Sequence, residues 1–394
     1  MQKRDKKILV ISQSYPFPQR CGFTYRVGDM CKHLSKYFSI HIAVNEEKTP
    51  TPLLFSELFD GVHYPEKSEK KILFKEILKK TYLHLQQPHF DDIIYENHNF
   101  VELIKKLISI YKFSAIIINT PILGYCAKYI PDKILKIMDT HDIWYQKYLN
   151  LKKLGYGDLL SHFRDRNREL NLYRSFDLVL AISLSDLQYL QIHGIKNCIH
   201  TPPSFLPLSE PKKEKSSNNP ILLYASGQGV FNIDAIEFFT KNILPIINEK
   251  IKDLKFKILN PSSELQKKYI YHSNIIFSPY TDHLEKEYDS ADVVVVPLRF
   301  ANGIKIKVLE SFSFGKATIL SPAAIQGINF TYFPQKRISI EPDIFAEEII
   351  NALYDQEYKE KLIKGGIKTI KEFYNPEACY SELIEKISST NYIF

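Results

Sequence analysis

The residues best suited to chemistry lie between Asp292 and Gly315, in the stretch DVVVVPLRFANGIKIKVLESFSFG. The run of valines predicts a strand buried on both faces, and Pro297 ends it because proline cannot donate to a sheet ladder. Helical spacing follows from Ile304 to Ser313. Ligands of open α/β sheets bind beyond the carboxyl ends of the strands. A helix that starts there offers free N–H groups and the positive end of its dipole to a phosphate.

The side chains around this helix start suit a ligand with phosphates and a ribose. Gly303 lets a phosphate approach the backbone closely, and Arg299, Lys305 and Lys307 add positive charge beside it. Glu310, about two turns into the helix, can accept two hydroxyl protons from a ribose. An ordinary strand–helix unit with solvated lysines is the alternative that the pattern leaves open.

The elements that would position these residues alternate between strand and helix. In the first half, the strand Lys7–Ser12, a glycine-containing loop, a helix with apolar positions from Val27 to Leu34 and the strand Ser39–Val44 form a βαβ unit. Further strand-like runs are Ala115–Ile118, Ile134–Met138 and Leu178–Ile182. This alternation predicts a parallel sheet covered on both faces.

The second half repeats the order after a polar stretch, LSEPKKEKSSNN, which has the composition of a linker. A helix is expected at Asp234–Leu244, ending at Pro245, and a last helix at Pro376–Ile387. The predicted strands are Ile221–Tyr224, Phe256–Leu259, Ile275–Phe277, Val293–Val296 and Thr318–Leu320. Since 394 residues exceed the length at which one core keeps growing, we expect domains at 1–205 and 220–375, a linker at 206–219 and a terminal helix at 376–394.

The stretch PLRFANGIKIKVLESFSFGKATILSP resembles the donor-binding signature of glycosyltransferase family 4, the retaining enzymes of GT-B architecture. That family often carries two glutamates separated by seven residues; here the second is Glu310 and Asn302 stands at the first. The resemblance implies that Glu310 holds the nucleotide ribose. It also implies that the preceding loop holds the diphosphate and the donor sugar through Asn302, Gly303, Ile304 and Lys305.

Two further features of the resemblance concern the phosphate charge and the fold. Many family members place an Arg and a Lys in the loop that here runs from Ser226 to Asp234, and this loop has neither. Arg299 and Lys305 are therefore expected to supply that charge. The implied fold is α/β with two Rossmann-like domains, whose parallel sheets face a central cleft, and a C-terminal helix that crosses back to the N-terminal domain.

Three shorter stretches extend the resemblance. YASGQGVFNIDAIEFF makes Ser226 and Gly227 candidates for the donor loop, with a plain turn as the alternative. MDTHDIWYQKY resembles the family's D-x-H-D element, so that His141 is expected to donate a hydrogen bond to the donor sugar and Asp142 to orient it or meet the acceptor hydroxyl. A structural capping pair is the alternative there. In PFPQRCGFTYRV, Gly22 keeps the family's close-approach glycine.

Composition narrows the cellular setting. Five cysteines without C-x-x-C spacing favour reduced thiols in a cytoplasmic protein. The first apolar run, Ile8–Ile11, is too short for a secretory signal. The net charge of +7 is scattered rather than concentrated in a basic tract, so no nucleic-acid partner is expected. The segment Lys70–Gln87 has the pattern of a basic amphipathic helix, which suits either peripheral membrane contact or a solvated surface.

The resemblance implies transfer of a sugar from a nucleotide-sugar donor to a glycan or lipid-linked acceptor, with retained configuration, in cell-surface polysaccharide synthesis. It implies no cofactor and no obligatory metal, and no Asp-x-Asp motif lies near the phosphate loop. Two alternatives stay open. A sugar-nucleotide epimerase has the same architecture, and a non-catalytic nucleotide-sugar-binding protein would tolerate Asn302 and the missing Arg and Lys.

Overall fold

The computed structural model describes residues 6–46, 54–66, 96–208, 219–227 and 229–390. The chain divides into two compact units. We call them the N-terminal unit, made of Met1–Pro203 with Cys379–Phe394, and the C-terminal unit, made of Ser204–Ala378. The predicted amphipathic segment Lys70–Gln87 lies outside the described residues.

The N-terminal unit is built on a parallel sheet. Its strands are β1 (Lys7–Ser12), β2 (Ser39–Val44), β3 (Gly61–His63), β4 (Phe113–Asn119), β5 (Leu135–Asp139), β6 (Leu178–Ala181) and β7 (Cys198–His200). Their order in the sheet is β3-β2-β1-β4-β5-β6-β7, and each neighbouring pair is parallel. Every residue of β4 and β6 is buried, as expected for strands covered by helices on both faces.

The helices of this unit connect successive strands. They are α1 (Gly22–Leu34), α2 (His98–Ile110), α3 (Trp144–Lys153), α4 (Arg166–Arg174) and α5 (Leu184–Ile192), with 3₁₀ turns at Ser56–Leu58, Pro121–Tyr129 and Gly157–Phe163. The first turn of α1 and the loops after β4 and β5 therefore lie at the carboxyl edge of the sheet, where ligands bind in open α/β folds.

The C-terminal unit repeats this plan. Its strands are β8 (Ile221–Ala225), β9 (Lys255–Leu259), β10 (Ile275–Ser278), β11 (Val293–Val296) and β12 (Thr318–Leu320), in the order β10-β9-β8-β11-β12. All the pairs are parallel, and every residue of β11 is buried. The order reverses between β8 and β11, which makes their carboxyl ends the switch point at which such sheets bind ligands.

The helices of the C-terminal unit cover the sheet, and the last helix joins the N-terminal unit. They are α6 (Val230–Phe238), α7 (Leu244–Lys250), α8 (Ser263–Tyr269), α9 (Leu284–Asp289), α10 (Ile306–Ser313), α11 (Pro322–Ile325), α12 (Pro342–Tyr354), α13 (Gln356–Phe373) and α14 (Pro376–Ser389). Tyr380 of α14 is fully buried and donates a 2.5 Å hydrogen bond to Asp29 of α1. That bond fixes α14 against the N-terminal unit.

Two parallel α/β units of the Rossmann type confirm the predicted fold class, while two helix limits were wrong. The helix expected to end at Pro245 continues as α7, because a π turn at Phe239–Ile243 places Pro245 in the first turn of a new helical segment, where its missing N–H is not needed. The helix expected from Ile304 begins at Ile306, since Gly303 has a positive φ of 55° and Lys305 is extended.

Two chemical features of the described chain bear on its class. The five cysteines are all free, and only Cys21 is exposed. Within the ranges given above, we find no helix with the length and apolar character needed to cross a membrane.

Candidate functional site

A buried ion pair lies at the carboxyl edge of the N-terminal sheet. Asp139 is the last residue of β5 and Arg26 lies on α1; both side chains are fully buried. The guanidinium grips both carboxylate oxygens, with Nη2 at 3.1 Å from Oδ1 and Nε at 3.3 Å from Oδ2. Burial alone would raise the pKa of Asp139, but Arg26, and then His141, hold it well below its usual range. Asp139 is therefore an anion at neutral pH.

His141 is held over this pair from three sides. Its Nε2 lies 3.1 Å from Asp139 Oδ2 and 3.4 Å from Asn119 Oδ1. Its ring stacks on Phe23, with 4.8 Å between the ring centroids. The backbone of His141 has a φ of 57°, a conformation that costs a residue with a side chain about 1–2 kcal/mol. Because Nε2 donates to the carboxylate, Nδ1 is the nitrogen left for a ligand.

Asp142 and Gly22 lie next to this network along the chain. The Asp142 carboxylate accepts a 2.7 Å bond from Lys147 of α3, and its backbone N–H donates to Thr140. Gly22 is the first residue of α1 and is exposed, one residue before Phe23. The structure thus brings Gly22 and His141 together through Phe23, whereas it turns Asp142 towards α3. The roles of His141, Asp142 and Gly22 stay predictions.

Glu169, to which the sequence assigned no role, positions the loop that carries His141. Helix α3 begins after this loop without a side-chain cap of its own. The buried Glu169 carboxylate accepts the backbone N–H groups of Trp144 at 2.7 Å and Tyr145 at 2.9 Å, and the Tyr173 hydroxyl at 2.6 Å. Burial raises the pKa of Glu169, while these three donors oppose the rise. Glu169 therefore caps α3 and fixes the end of the loop.

In the C-terminal unit, the start of α10 is an open helix terminus. Lys305 precedes the helix without giving it a side-chain cap, so the N–H groups of the first turn are available to an anion. The Lys305 ammonium is buried and turns back to the loop, donating to the carbonyls of Asn302 at 2.8 Å and Gly303 at 2.5 Å. Ile304 is buried beside them. Lys305 thus stabilises the loop conformation that leaves the helix start open.

Lys307 provides a cation at this terminus. Its ammonium donates to Asn232 Oδ1 at 2.6 Å and Tyr224 Oη at 3.2 Å, and it lies 4.2 Å from the centre of the Tyr224 ring. Burial lowers the pKa of Lys307 to about 7, although the nearby Glu310 carboxylate opposes the shift and Lys305 adds to it. Lys307 is therefore a cation whose charge changes near neutral pH.

Glu310 lies one helical turn beyond Lys307. The hydroxyl of the buried Tyr288 donates to Glu310 Oε1 at 2.6 Å, and no other side chain or backbone group of the described ranges donates a hydrogen bond to Oε2. Burial raises the pKa of Glu310, while the Tyr288 bond and the charge of Lys307 lower it. One carboxylate oxygen is thus fixed and the other can accept hydrogen bonds from a ligand.

The loop after β8 closes around the same place. The Ser226 hydroxyl donates to the Gly227 carbonyl at 3.0 Å. A β-carbon at Gly227 would lie 3.2 Å from Asn232 Nδ2, so the loop packs tightly against the partner of Lys307. The structure therefore brings Ser226 and Gly227 to the cluster of Tyr224, Asn232 and Lys307.

Arg299 has a partner that the sequence did not reveal. Its guanidinium binds both carboxylate oxygens of Asp234 on α6, with Nε at 3.1 Å from Oδ2. It also lies 5.0 Å from the Phe238 ring. The hydrogen bond to Asp234 is the main reason why the pKa of Arg299 is raised. Arg299 therefore joins the loop after β11 to α6, and donor binding by Arg299 and Lys305 stays a prediction.

The sequence of the C-terminal unit matches a known family. Residues 219–355 match the family described as "Glycosyl transferases group 1". An uncharacterised 44.6 kDa protein in the cps region of Klebsiella pneumoniae is 22% identical to this chain over 272 residues, which cover 65% of this chain and 68% of that protein. The resemblance to this group is confirmed, and the narrower assignment to family 4 stays a prediction.

The whole chain also has solved structural counterparts. Sucrose-phosphate synthase from Thermosynechococcus elongatus is 16% identical, with a TM-score of 0.71 over 97% of this chain and 98% of that one. TarM of S. aureus is 11% identical, with a TM-score of 0.73 over 98% and 99%. HepE from Anabaena, solved with UDP-glucose, is 12% identical, with a TM-score of 0.68 over 97% and 99%. These similarities show the GT-B fold.

Proposed function

We propose that this chain, which is a glycosyltransferase, takes its sugar from a nucleotide-sugar donor bound at the carboxyl ends of β8 and β11. The observation that carries the proposal is the pairing of Lys307 and Glu310 on one turn of an uncapped helix. A diphosphate fits the N–H groups and Lys307, and a ribose fits the open oxygen of Glu310. HepE, solved with UDP-glucose, supports a donor of this class.

Transfer in this proposal retains the configuration of the sugar and uses no metal ion. The chemical requirement is to stabilise the negative charge that grows on the departing diphosphate. The dipole of α10 and the ammonium of Lys307 supply positive charge for that purpose. The departing diphosphate helps to deprotonate the acceptor hydroxyl on the same face of the sugar.

In the N-terminal unit, we assign to His141 a hydrogen bond to the donor sugar. The imidazole is fixed by Asp139, Asn119 and Phe23, so little freedom is lost when a sugar hydroxyl binds Nδ1. Asp142, held by Lys147, orients this loop. Positioning of this kind limits the hydrolysis of the donor, since water competes poorly with a well-placed acceptor.

The acceptor is a glycan or a lipid-linked glycan of cell-surface polysaccharide synthesis. The relative in the cps region of Klebsiella pneumoniae supports this setting. TarM, solved with α-GlcNAc-glycerol and UDP, shows that a protein of this fold binds such ligands. We place the reaction in the cytoplasm, with peripheral contact at the inner face of the membrane.

The first experiment is a thermal-shift screen of the purified protein against UDP, GDP and ADP. A nucleotide that binds only the folded state raises the melting temperature, and we expect one base to do so more than the others. The corresponding nucleotide sugars are then incubated with and without an undecaprenyl-linked acceptor. Release of nucleoside diphosphate that depends on the acceptor supports transfer. Interconversion of the sugar without acceptor indicates an epimerase, and nucleotide binding without turnover indicates a non-catalytic protein.

Lys307 should make nucleotide binding depend on pH. Its pKa of about 7 means that binding a diphosphate above pH 7 requires the uptake of a proton. We therefore expect the dissociation constant of UDP to rise about tenfold between pH 7 and pH 8.5, a range in which the phosphates of UDP stay ionised. Isothermal titration calorimetry in buffers of different ionisation enthalpy measures both the affinity and the proton uptake.

Two substitutions test whether Lys307 is the responsible group. In Lys307→Met, binding at pH 7 is weaker and proton uptake disappears. In Lys307→Arg, a permanent cation replaces the titrating one, so the affinity becomes independent of pH over this range. Unchanged proton uptake in Lys307→Met contradicts the assignment.

A further inference from the structure

Exposed apolar and basic side chains occur together on one surface of the N-terminal unit, on α3 and the 3₁₀ turn that follows it. Leu149, Tyr156 and Leu159 are 37%, 47% and 58% exposed. The exposed cations from α3 to the start of α4 are Lys152, Lys153, Arg164 and Arg166, against the exposed carboxylates Asp158 and Asp165. We call the segment 149–166 the basic–apolar surface.

The backbone aligns these side chains. Leu149 lies three and four residues before Lys152 and Lys153, so that the three share one face of α3. Gly155, with a φ of 83°, ends the helix and lets the Tyr156 N–H bond back to the Leu151 carbonyl at 2.8 Å. Tyr156 is thereby returned to the end of α3, next to the lysines.

The 3₁₀ turn continues the same edge. The Leu159 N–H donates to the Tyr156 carbonyl at 3.2 Å, and side chains three residues apart in such a turn lie in line. Asp165 is occupied as the cap of α4, accepting the N–H groups of Asn167 and Arg168. Its charge is therefore partly neutralised by the helix terminus, and the surface is basic on balance.

This surface is connected firmly to the loop that carries His141. The indole of Trp144 packs on Phe163, with 4.5 Å between the ring centroids, which joins α3 to the 3₁₀ turn. Glu169 binds the first two N–H groups of α3. Whatever binds the basic–apolar surface is therefore linked through rigid elements to His141.

We propose that the basic–apolar surface binds an anionic lipid bilayer. Large apolar side chains that cannot be buried within the unit enter the acyl boundary, while neighbouring lysine and arginine side chains reach the phosphates of the headgroups. The charge complementarity favours an anionic bilayer over a neutral apolar partner. The inference rests on the proposed function for its purpose, since it would place the His141 loop beside a lipid-linked acceptor.

The test is co-sedimentation of the full chain with vesicles of 70% phosphatidylcholine and 30% phosphatidylglycerol in 50 mM salt. We expect Lys152→Glu with Lys153→Glu to weaken binding at least about tenfold, since each cation near an anionic membrane contributes substantially. Tyr156→Ser with Leu159→Ser should weaken it by a similar factor through lost apolar contact. Vesicles of phosphatidylcholine alone should bind the wild-type chain poorly.

The chain offers matched controls. Tyr354 and Ile192 are 68% and 82% exposed, at the ends of helices without lysine or arginine, so Tyr354→Ser with Ile192→Ser should leave binding unchanged. Lys361→Glu with Lys364→Glu reverses two exposed charges on α13 and should also leave it unchanged. Equal loss of binding in these controls and in the test variants overturns the proposal.

Three other outcomes also overturn it. Wild-type vesicle binding by both test variants is the first. Loss of binding only when the lysines of Lys70–Gln87 are replaced by serine is the second, because it places the contact in that segment. A self-association that Leu159→Ser abolishes is the third, since it assigns the surface to a second copy of the chain.

Vesicle binding is measured without nucleotide, so its failure is distinct from a failure of the proposed function. If the surface variants lose vesicles but keep the thermal shift with UDP, both proposals stand. If UDP fails to bind while vesicle binding depends on the surface, only the donor assignment falls.

Discussion

Glu310→Gln should weaken UDP binding by about 10- to 100-fold without unfolding the protein, since a hydrogen bond to a charged group is worth about 1.5–3 kcal/mol. Glutamine keeps the shape of the side chain and an oxygen for the Tyr288 hydroxyl. It replaces the other carboxylate oxygen, which is free to accept from a ribose, with an amide. Isothermal titration calorimetry at pH 7 measures the loss.

The role of the ribose is tested by changing the ligand as well as the protein. For the wild-type chain, 2′-deoxy-UDP should bind more weakly than UDP. In Glu310→Gln this difference should shrink, because the acceptor of the ribose hydroxyl is already lost; the two changes form a double cycle. Glu287→Gln is the matched control, since Glu287 lies in the same unit and bonds to Ser278 and Lys257. Independent, additive losses for Glu310→Gln and 2′-deoxy-UDP contradict the assignment.

The strands of this fold could be predicted from the sequence wherever their apolar pattern was continuous. Lys7–Ser12, Ser39–Val44 and Val293–Val296 have the predicted limits, because a strand covered on both faces needs apolar residues throughout. The strands Gly61–His63 and Cys198–His200 were not predicted. Three residues are too few for any periodicity, and both strands are defined by pairing with a neighbour distant in the chain.

The candidate site could be predicted only in part, because spacing gives positions and not side-chain partners. Gly303 and Glu310 follow from the strand–loop–helix pattern. The ion pair of Arg299 with Asp234 joins residues 65 positions apart, and nothing local indicates it. The Lys305 ammonium turns back to its own loop, which depends on the positive φ of Gly303 rather than on residue type.

In the N-terminal unit, a usable signal was present but not read. Asn119 and Asp139 are polar residues that end apolar strands, and Arg26 lies among the apolar positions of α1. A charge in an apolar stripe requires a buried partner, so Arg26 and Asp139 could have been paired on this ground. The stacking of Phe23 on His141 could not, since it depends on the backbone turn at His141.

The buried pair of Arg26 and Asp139 leads to the second large effect, on stability. Arg26→Met leaves a buried carboxylate with His141 as its remaining charged partner, and breaking a buried pair in this way costs about 3–5 kcal/mol. We expect a loss of this size in urea unfolding at pH 8. In Arg26→Met with Asp139→Asn, the orphaned charge is gone while an amide still faces His141. The double variant should therefore be more stable than Arg26→Met alone.

The pH dependence distinguishes the loss of a charge from the loss of packing. In the wild-type chain the pKa of Asp139 is depressed, so its contribution to the free energy of unfolding is complete at pH 5 and at pH 8 and is lost only in strong acid. Without Arg26, burial raises the pKa of Asp139 above its unfolded value, and the neutral form is favoured as the pH falls. The destabilisation by Arg26→Met should therefore be smaller at pH 5 than at pH 8. Lys268→Met, which breaks an exposed pair with Glu237, should cost less than about 1 kcal/mol at both values. An equal loss at pH 5 and pH 8 in Arg26→Met would mean that Arg26 acts through packing and that its charge does not hold Asp139 under His141.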